Sequence, residues 1–171
     1  MFEPKEVGIE VIVISPEGNE NDETITINTM QNLVKKYDFF VMSPKNQDKK
    51  QYKYTTFFGE NSIASLCNEG IKRCRQDWAY IVFAGSKIRK YVDAKLTKYI
   101  QSEKDVIFPV VDRKWNFINA TINGLLINKH FYIDVGNFKD VNDFQITKLE
   151  WADKALNKGA KFKAIVNSGN F

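Results

Sequence analysis

The sequence predicts a single α/β domain: a three-layer α/β/α sandwich with a mostly parallel central sheet. Three observations predict it. Strand-like and helix-like segments alternate along the chain, the pattern of βαβ units whose crossovers cover a parallel sheet. Gly8 to Ser15 is β-branched and almost continuously apolar, as a strand buried on both faces must be. The 171 residues, 43% of them hydrophobic and 13% aromatic, suffice for one sizeable core and are too few for two, so residues 1–171 form one domain.

The first strand ends in the loop Ser15-Pro16-Glu17-Gly18-Asn19. A helix is expected from near Asp22 to Lys36, on the spacing of Met30, Leu33, Val34 and Tyr37, although Thr24-Ile25-Thr26-Ile27 alternates like a strand. Phe39 to Met42 is the second strand, Pro44 to Lys50 a polar loop, and Tyr52 to Phe58 an alternating strand. The clearest helix follows: Asn61 or Ser62 can cap it, and Ile63, Leu66, Cys67, Gly70, Ile71 and Cys74 share one face. Trp78 to Ala84 is a central strand running into the turn Gly85-Ser86-Lys87. Val92, Leu96, Tyr99 and Ile100 mark another helix, and Asp105 to Val111 a strand whose Pro109 suggests an edge or an irregularity. Residues 113–120 are a polar and aromatic connection, Thr121 to Asn128 a strand candidate, and His130 to Phe138 follows it. Thr147 to Lys158 is a final helix, Gly159 its C-terminal glycine, and Phe162 to Val166 the last strand.

Composition removes several function classes. No apolar run approaches the roughly 18 residues a membrane helix needs, and the charged start Met1 to Glu6 lacks the apolar core of a secretory signal, so a cytosolic protein is expected. Cys67 and Cys74, seven apart on a helix, would stand about 10 Å apart along its axis, too far for a disulfide. They are expected as buried small hydrophobes, and with His130 remote no zinc or Cys-His site is expected. Net charge is +4, but acidic residues are dispersed among the basic ones, unlike the clustered stripe of a nucleic-acid binder. Heavy use of Lys, Asn, Ile and Phe suggests an AT-rich genome, of a phage or a low-GC bacterium, which would place the protein in a host cytoplasm or virion. Neither a Walker nor a Rossmann glycine loop is present.

The order of elements resembles the family-two glycosyltransferases of the GT-A fold. Asn68-Glu69-Gly70 matches an Asn-x-Gly on the helix before a central strand, and Trp78 to Phe83 matches that strand. Asn123-Gly124 through Gly136-Asn137-Phe138 resembles the stretch leading to a Gly-x-Phe turn, and Ala155 to Phe162 resembles the closing helix, glycine and strand. The resemblance implies a crevice at the carboxyl ends of the strands, where ligands bind in open α/β sheets. It implies Ser15, Pro16, Glu17, Ser43 and Asp48 near a base and ribose, with Asn68, Gly85, Ser86 and Lys87 completing the nucleotide site.

The chain departs from the family where the chemistry sits. Ala84-Gly85-Ser86 stands in place of the Asp-x-Asp that holds a divalent cation, and Ser43-Pro44 in place of an acidic pair. The family's base lies about eleven residues before the final glycine, a register that falls on Lys148, and an ammonium cannot act as base without a large fall in pKa. Asp140, Asp143 and Glu150 are the remaining weak base candidates, and Lys87, Arg89 and Lys90 could replace a metal at a diphosphate. The expectation is a glycosyltransferase-like module that has lost catalysis, binding a nucleotide or sugar or serving structurally, with no metal or cofactor; magnesium or manganese enters only if the resemblance overrides the missing carboxylates. The alternatives are an active, metal-independent hexosyl-type transferase with a nucleotide-sugar donor, and an unrelated function on a shared doubly wound fold. Trp115, Phe117, Phe138 and Phe171 could meet a protein partner or a second copy, or pack in the core.

Overall fold

The computed structural model describes residues 7–44, 52–88, 96–110, 121–139, 145–146, 150–166 and 169–170. The chain runs β1 (Ile9–Ile14), α1 (Glu20–Thr29), α2 (Gln31–Lys36), β2 (Phe39–Pro44), β3 (Thr56–Gly59), α3 (Ile63–Arg73), β4 (Trp78–Phe83), β5 (Lys87–Ile88), β6 (Asp105–Val110), β7 (Leu126–Asn128), α4 (Lys129–Val135), α5 (Glu150–Asn157), β8 (Lys161–Val166) and β9 (Gly169–Asn170). Seven strands form one sheet in the order β3-β2-β1-β4-β7-β6-β8, and β5 pairs with β9 in a separate ribbon. β7 runs antiparallel to both its neighbours, while the other pairings of the large sheet are parallel.

Every residue of β1 is buried, because the strand is covered on both faces. Ile12 and Ile14 enter a core closed by α3, α4 and α5, whereas Val11 and Val13 enter one closed by α1 and α2. The expected three-layer sandwich is therefore present. α3 packs so closely that a Cβ on Gly70 would stand 2.9 Å from Ile12 Cγ2 and 3.1 Å from Met42 Cγ, so the Asn-x-Gly glycine is a helix-to-sheet contact. β1 also carries a buried carboxylate, Glu10, which accepts the Arg75 N–H at 2.8 Å and meets the Arg75 guanidinium at 3.5 Å.

Several boundaries differ from expectation. The single helix expected over 22–36 is two, broken at Met30, where Thr29 Oγ1 turns back to the Thr26 carbonyl and also receives the Ile88 N–H. Of the expected strand 52–58 only Thr56 onward pairs; Tyr54 instead turns its hydroxyl to Thr24 Oγ1 at 2.9 Å. The expected strand 121–128 shrinks to Leu126–Asn128, because Ile122 to Leu125 form a turn. Asn128 then caps α4 by accepting the His130 and Phe131 N–H groups. Pro109 lies inside the sheet rather than at its edge, paired with Ile165 of β8 but beyond the residues that β7 reaches, so its missing N–H breaks no bond to β7. Ser62, rather than Asn61, caps α3, and the last helix closes with the Ala160 N–H on the Ala155 carbonyl. Phe138 is core, against Tyr132 and Trp151, which answers the question of its role; Trp115, Phe117 and Phe171 lie outside the described residues.

Both cysteines are free and buried, as expected. Desolvation drives the Cys67 thiol far above its ordinary range and pushes Cys74 up to about 11, where the Gln76 main chain and Lys129 oppose it weakly and the Glu10 carboxylate reinforces it. The thiolate is the reactive form, so neither thiol should be alkylated by iodoacetamide at pH 8 in the native protein, and both should react in denaturant. Gly70→Ala should lower stability by about 1–3 kcal/mol through overpacking, read as a fall in melting temperature.

Candidate functional site at the carboxyl ends of the central strands

Strand order changes direction between β1 and β4: the chain winds from β1 to β2 and β3 on one side, then returns to β4 on the other. Such a switch point opens a crevice outside the carboxyl ends. Main-chain bonds draw the three strand ends together there. The Ser15 N–H donates to the Met42 carbonyl at 2.8 Å, and the Ala84 N–H donates to the Ile14 carbonyl at 2.8 Å. Residues 15–17, 43–44 and 84–86, named from the sequence for three separate loops, therefore share one end of the sheet.

Their side chains do different things. Ser15 is buried and donates to the Glu23 carboxylate at 3.1 Å. Glu17 is exposed and Pro16 half-buried. Ser43 is buried, and its hydroxyl is among the described buried polar atoms without a hydrogen-bond partner. A lone buried hydroxyl of this kind is uncommon in folded proteins.

The turn after β4 is held from three sides. Gly85 adopts φ +95°, a conformation that glycine enters without steric cost, and its N–H donates to the Asp22 carbonyl at 3.0 Å. Thr26 Oγ1 donates to the Ser86 carbonyl at 2.8 Å and approaches the Phe83 carbonyl at 3.2 Å. Asn123 accepts the Phe83 N–H at 2.9 Å and donates through Nδ2 to Ser86 Oγ at 2.8 Å. Ser86 is consequently turned into the protein, whereas Lys87 beside it is exposed.

Sequence reasoning did not single out Asp22, Glu23, Thr26 or Asn123 for the site. Asp22 brings a carboxylate to the turn that lacks one: its Oδ1 lies 4.0 Å, and its Cγ 3.8 Å, from where a Cβ on Gly85 would stand. No local sequence pattern marked them. The buried residues of α1 are Glu23, Thr26 and Ile27, so a helix facing a core with polar side chains has polar partners to satisfy there.

Among the described residues, those at this turn do not fit a hard divalent cation, which takes several oxygen ligands, carboxylates foremost, since Asp22 is the one carboxylate shown beside Gly85. The turn itself supplies none, Glu23 is engaged by Ser15, and among the described residues no group of three His, Cys, Asp or Glu side chains is placed to hold a metal.

Asn68, expected in the nucleotide site, spends both ends of its amide elsewhere. Nδ2 donates to the Phe138 carbonyl and Oδ1 accepts the Phe138 N–H, each at 2.9 Å, while the Tyr132 hydroxyl also donates to Oδ1. Burial holds the Tyr132 phenol well above its ordinary range, so this hydroxyl remains a donor. Glu150 is exposed in the first turn of α5, 3.8 Å from Lys154. Asp48, Arg89, Lys90, Asp140, Asp143 and Lys148 lie outside the described residues. No described helix is long and apolar enough to cross a membrane.

The fold is shared with solved structures of S. aureus TarS. The crystal structure of TarS 1–349 matches with a TM-score of 0.67 at 12% identity, over 92% of this chain and 58% of that one. The same fragment in complex with UDP-GlcNAc matches at 0.62 and 13% identity, over 92% and 56%, and its complex with UDP at 0.54 and 12%, over 74% and 48%. The chain thus spans little more than half of the TarS fragment. No protein-family model matches the sequence, and no curated protein matches it.

Asn123→Ala should strip partners from two groups at the turn, the Phe83 N–H and Ser86 Oγ. At about 1–3 kcal/mol for each buried polar group left unpaired, the melting temperature should fall by many degrees, and Asn123→Asp, which keeps the acceptor alone, should fall between.

Proposed function

We propose that the chain is a GT-A-like nucleotide-sugar-binding domain, akin to the family-two glycosyltransferases, that has lost sugar transfer and binds its ligand without a metal. One observation carries this reading. The strand order, with a single antiparallel member beside β4, puts a switch point between β1 and β4, the place where open α/β sheets bind ligands, and the turn after β4 is built from Ala84, Gly85 and Ser86 and fastened by Thr26 and Asn123. A fastened turn keeps its shape without an ion, which supports the reading of a nucleotide-diphosphate frame that does without a carboxylate clamp.

The shared fold with TarS, solved with UDP-GlcNAc and with UDP, supports these two compounds as probes. Transfer needs a base at the acceptor hydroxyl, and the register of the resemblance supplies Lys148, whose ammonium cannot take a proton. In the crevice the diphosphate would be met by Lys87, exposed next to the turn, and turned away from Asp22, which favours modest affinity. The exposure of Lys87 also favours a second reading, an active transferase in which that ammonium replaces the metal at the leaving diphosphate.

Thermal unfolding with UDP and UDP-GlcNAc, in EDTA and in manganese, tests both. Either ligand at about 100 times its Kd should add roughly 2.7 kcal/mol of stability, equally in the two buffers, with no release of UDP from the donor. The absence of any shift, or a shift that requires manganese, defeats the proposal. UDP release in EDTA that is lost in Lys87→Ala establishes the second reading instead.

A further inference from the structure

At the amino ends of β2 and β3, the opposite end of the sheet from the turn after β4, lies a groove of ≈ 450 Å³. Its floor is apolar: Phe40 is buried, and Phe39 and Phe57 are half-buried. Arg73 and Arg75 stand over it, with Asp38 and Thr55 completing the lining. The fold delivers both arginines there. α3 crosses back from the carboxyl end of β3 to the amino end of β4, so its last residue, Arg73, and the turn that follows reach this end of the sheet. A cation at a helix C-terminus is also favoured by the helix dipole.

Neither guanidinium is committed to a close partner. Arg73 Nε is 3.9 Å from the Glu69 carboxylate, and its Cζ lies 4.7 Å from the centroid of the Phe57 ring, which attracts the cation but offers its N–H groups no oxygen. Arg75 Nη2 is 3.5 Å from Glu10 Oε2, and the side chain is 80% exposed. A committed Arg–carboxylate pair is bidentate and stands near 2.8 Å, and each guanidinium carries five N–H donors. Glu10 is already served by the Arg75 main-chain N–H at 2.8 Å, which leaves the guanidinium edge available to a second oxyanion. The surroundings are basic. Lys35, Lys36 and Lys53 are exposed on the segments leading into β2 and β3, and the Tyr54 ring beside Lys53 lies 6.0 Å from Phe39 of the floor.

We infer that this groove binds a carboxylate carried on an apolar body, an amphipathic monoanion. The planar forks of Arg73 and Arg75 match the carboxylate, and the phenylalanine floor covers the body. A cation is opposed by both arginines. A neutral apolar ligand would desolvate the guanidiniums without giving them an acceptor. A second negative charge would be set against Asp38, Glu69 and Glu10, which disfavours phosphate and polyanions. The Phe40 and Phe57 rings meet edge to face at 5.3 Å and 81°, and Arg73 covers Phe57, so the floor supplies apolar area rather than open faces for stacked bases. The groove lies at the other end of the strands from the β1/β4 crevice and does not depend on what that crevice binds.

The test is an amide chemical-shift titration of the full chain with phenylacetate and hexanoate, beside acetate, phenylacetamide and inorganic phosphate. Phenylacetate or hexanoate should give saturable shifts centred on residues 38–40, 55–57 and 73–75, with a Kd near the millimolar range. Acetate lacks the body, phenylacetamide the charge, and phosphate both the body and the single charge, so each should bind at least about tenfold more weakly. Arg73→Gln and Arg75→Gln should each weaken the binding at least about fivefold, and Arg73→Lys, which keeps the charge without the fork, should fall between. Arg73 is exposed at the end of α3, so its substitution should leave the melting temperature unchanged and reads binding even if loss of the Arg75 contact to Glu10 unsettles the fold. No saturable shift from either carboxylate, equal binding of phenylacetamide or phosphate, or binding unaffected in Arg73→Gln would overturn the inference.

Discussion

The complete burial of β1 governs the rest of the molecule. Six consecutive apolar or paired residues cannot face water on either side, so helices must return across both faces, and the neighbours β2 and β4 must run parallel to β1 for those crossovers to form. With three parallel strands side by side, their carboxyl ends coincide in space, and the main-chain bonds from Ser15 to Met42 and from Ala84 to Ile14 tie them. The gathering of these strand ends at one edge of the sheet is thus a consequence of how a fully buried strand is covered. Even Glu10 follows from the constraint: a carboxylate within such a strand persists because the Arg75 N–H and guanidinium reach it.

At the turn after β4, hydrogen bonding occupies the place that charge and metal hold in the family this chain resembles. Thr26 and Asn123 come from opposite directions in sequence and meet on Ser86, and the Asp22 carbonyl takes the Gly85 N–H. This accounts for the odd composition of α1, a helix that buries a carboxylate and a threonine, and for its interruption at Met30, since Thr29 is needed both by the Thr26 carbonyl and by the start of β5. The polar side chains here are well satisfied at short distances, which is the condition for a buried polar group to add rigidity rather than cost.

A second polar hub anchors the other half of the domain. Asn68 behaves toward Phe138 as a neighbouring strand would, giving and taking one main-chain bond, and Tyr132 adds a third contact. The rings of Tyr132, Phe138 and Trp151 then stack the end of α4 against α5. The Asn-x-Gly motif is in this light a packing motif at both ends, its asparagine holding the turn after α4 and its glycine admitting Ile12 and Met42.

How much of this was legible in the chain depends on the distance over which each feature is encoded. Apolar runs fixed β1 and β4, a 3.6-residue stripe fixed α3, and glycine marked the end of α5, because each signal is local and stronger than its competitors. The absence of carboxylates at residues 84–86 was equally plain. Thr24 to Ile27 alternate like a strand yet lie in the helix expected there, with Thr26 answering Ser86; the boundary failed at residues 121–125, which leave the strand because Asn123 answers Phe83. The same reason hid Asp22 beside Gly85 and the engagement of Asn68 with Phe138, contacts across 63 and 70 residues that no local pattern can carry. Composition alone determined a covered parallel sheet with a neutral tip; the pairing of strands decided which polar groups would find one another there, since hydrogen bonds are directional over about 3 Å and register is set only when the sheet closes.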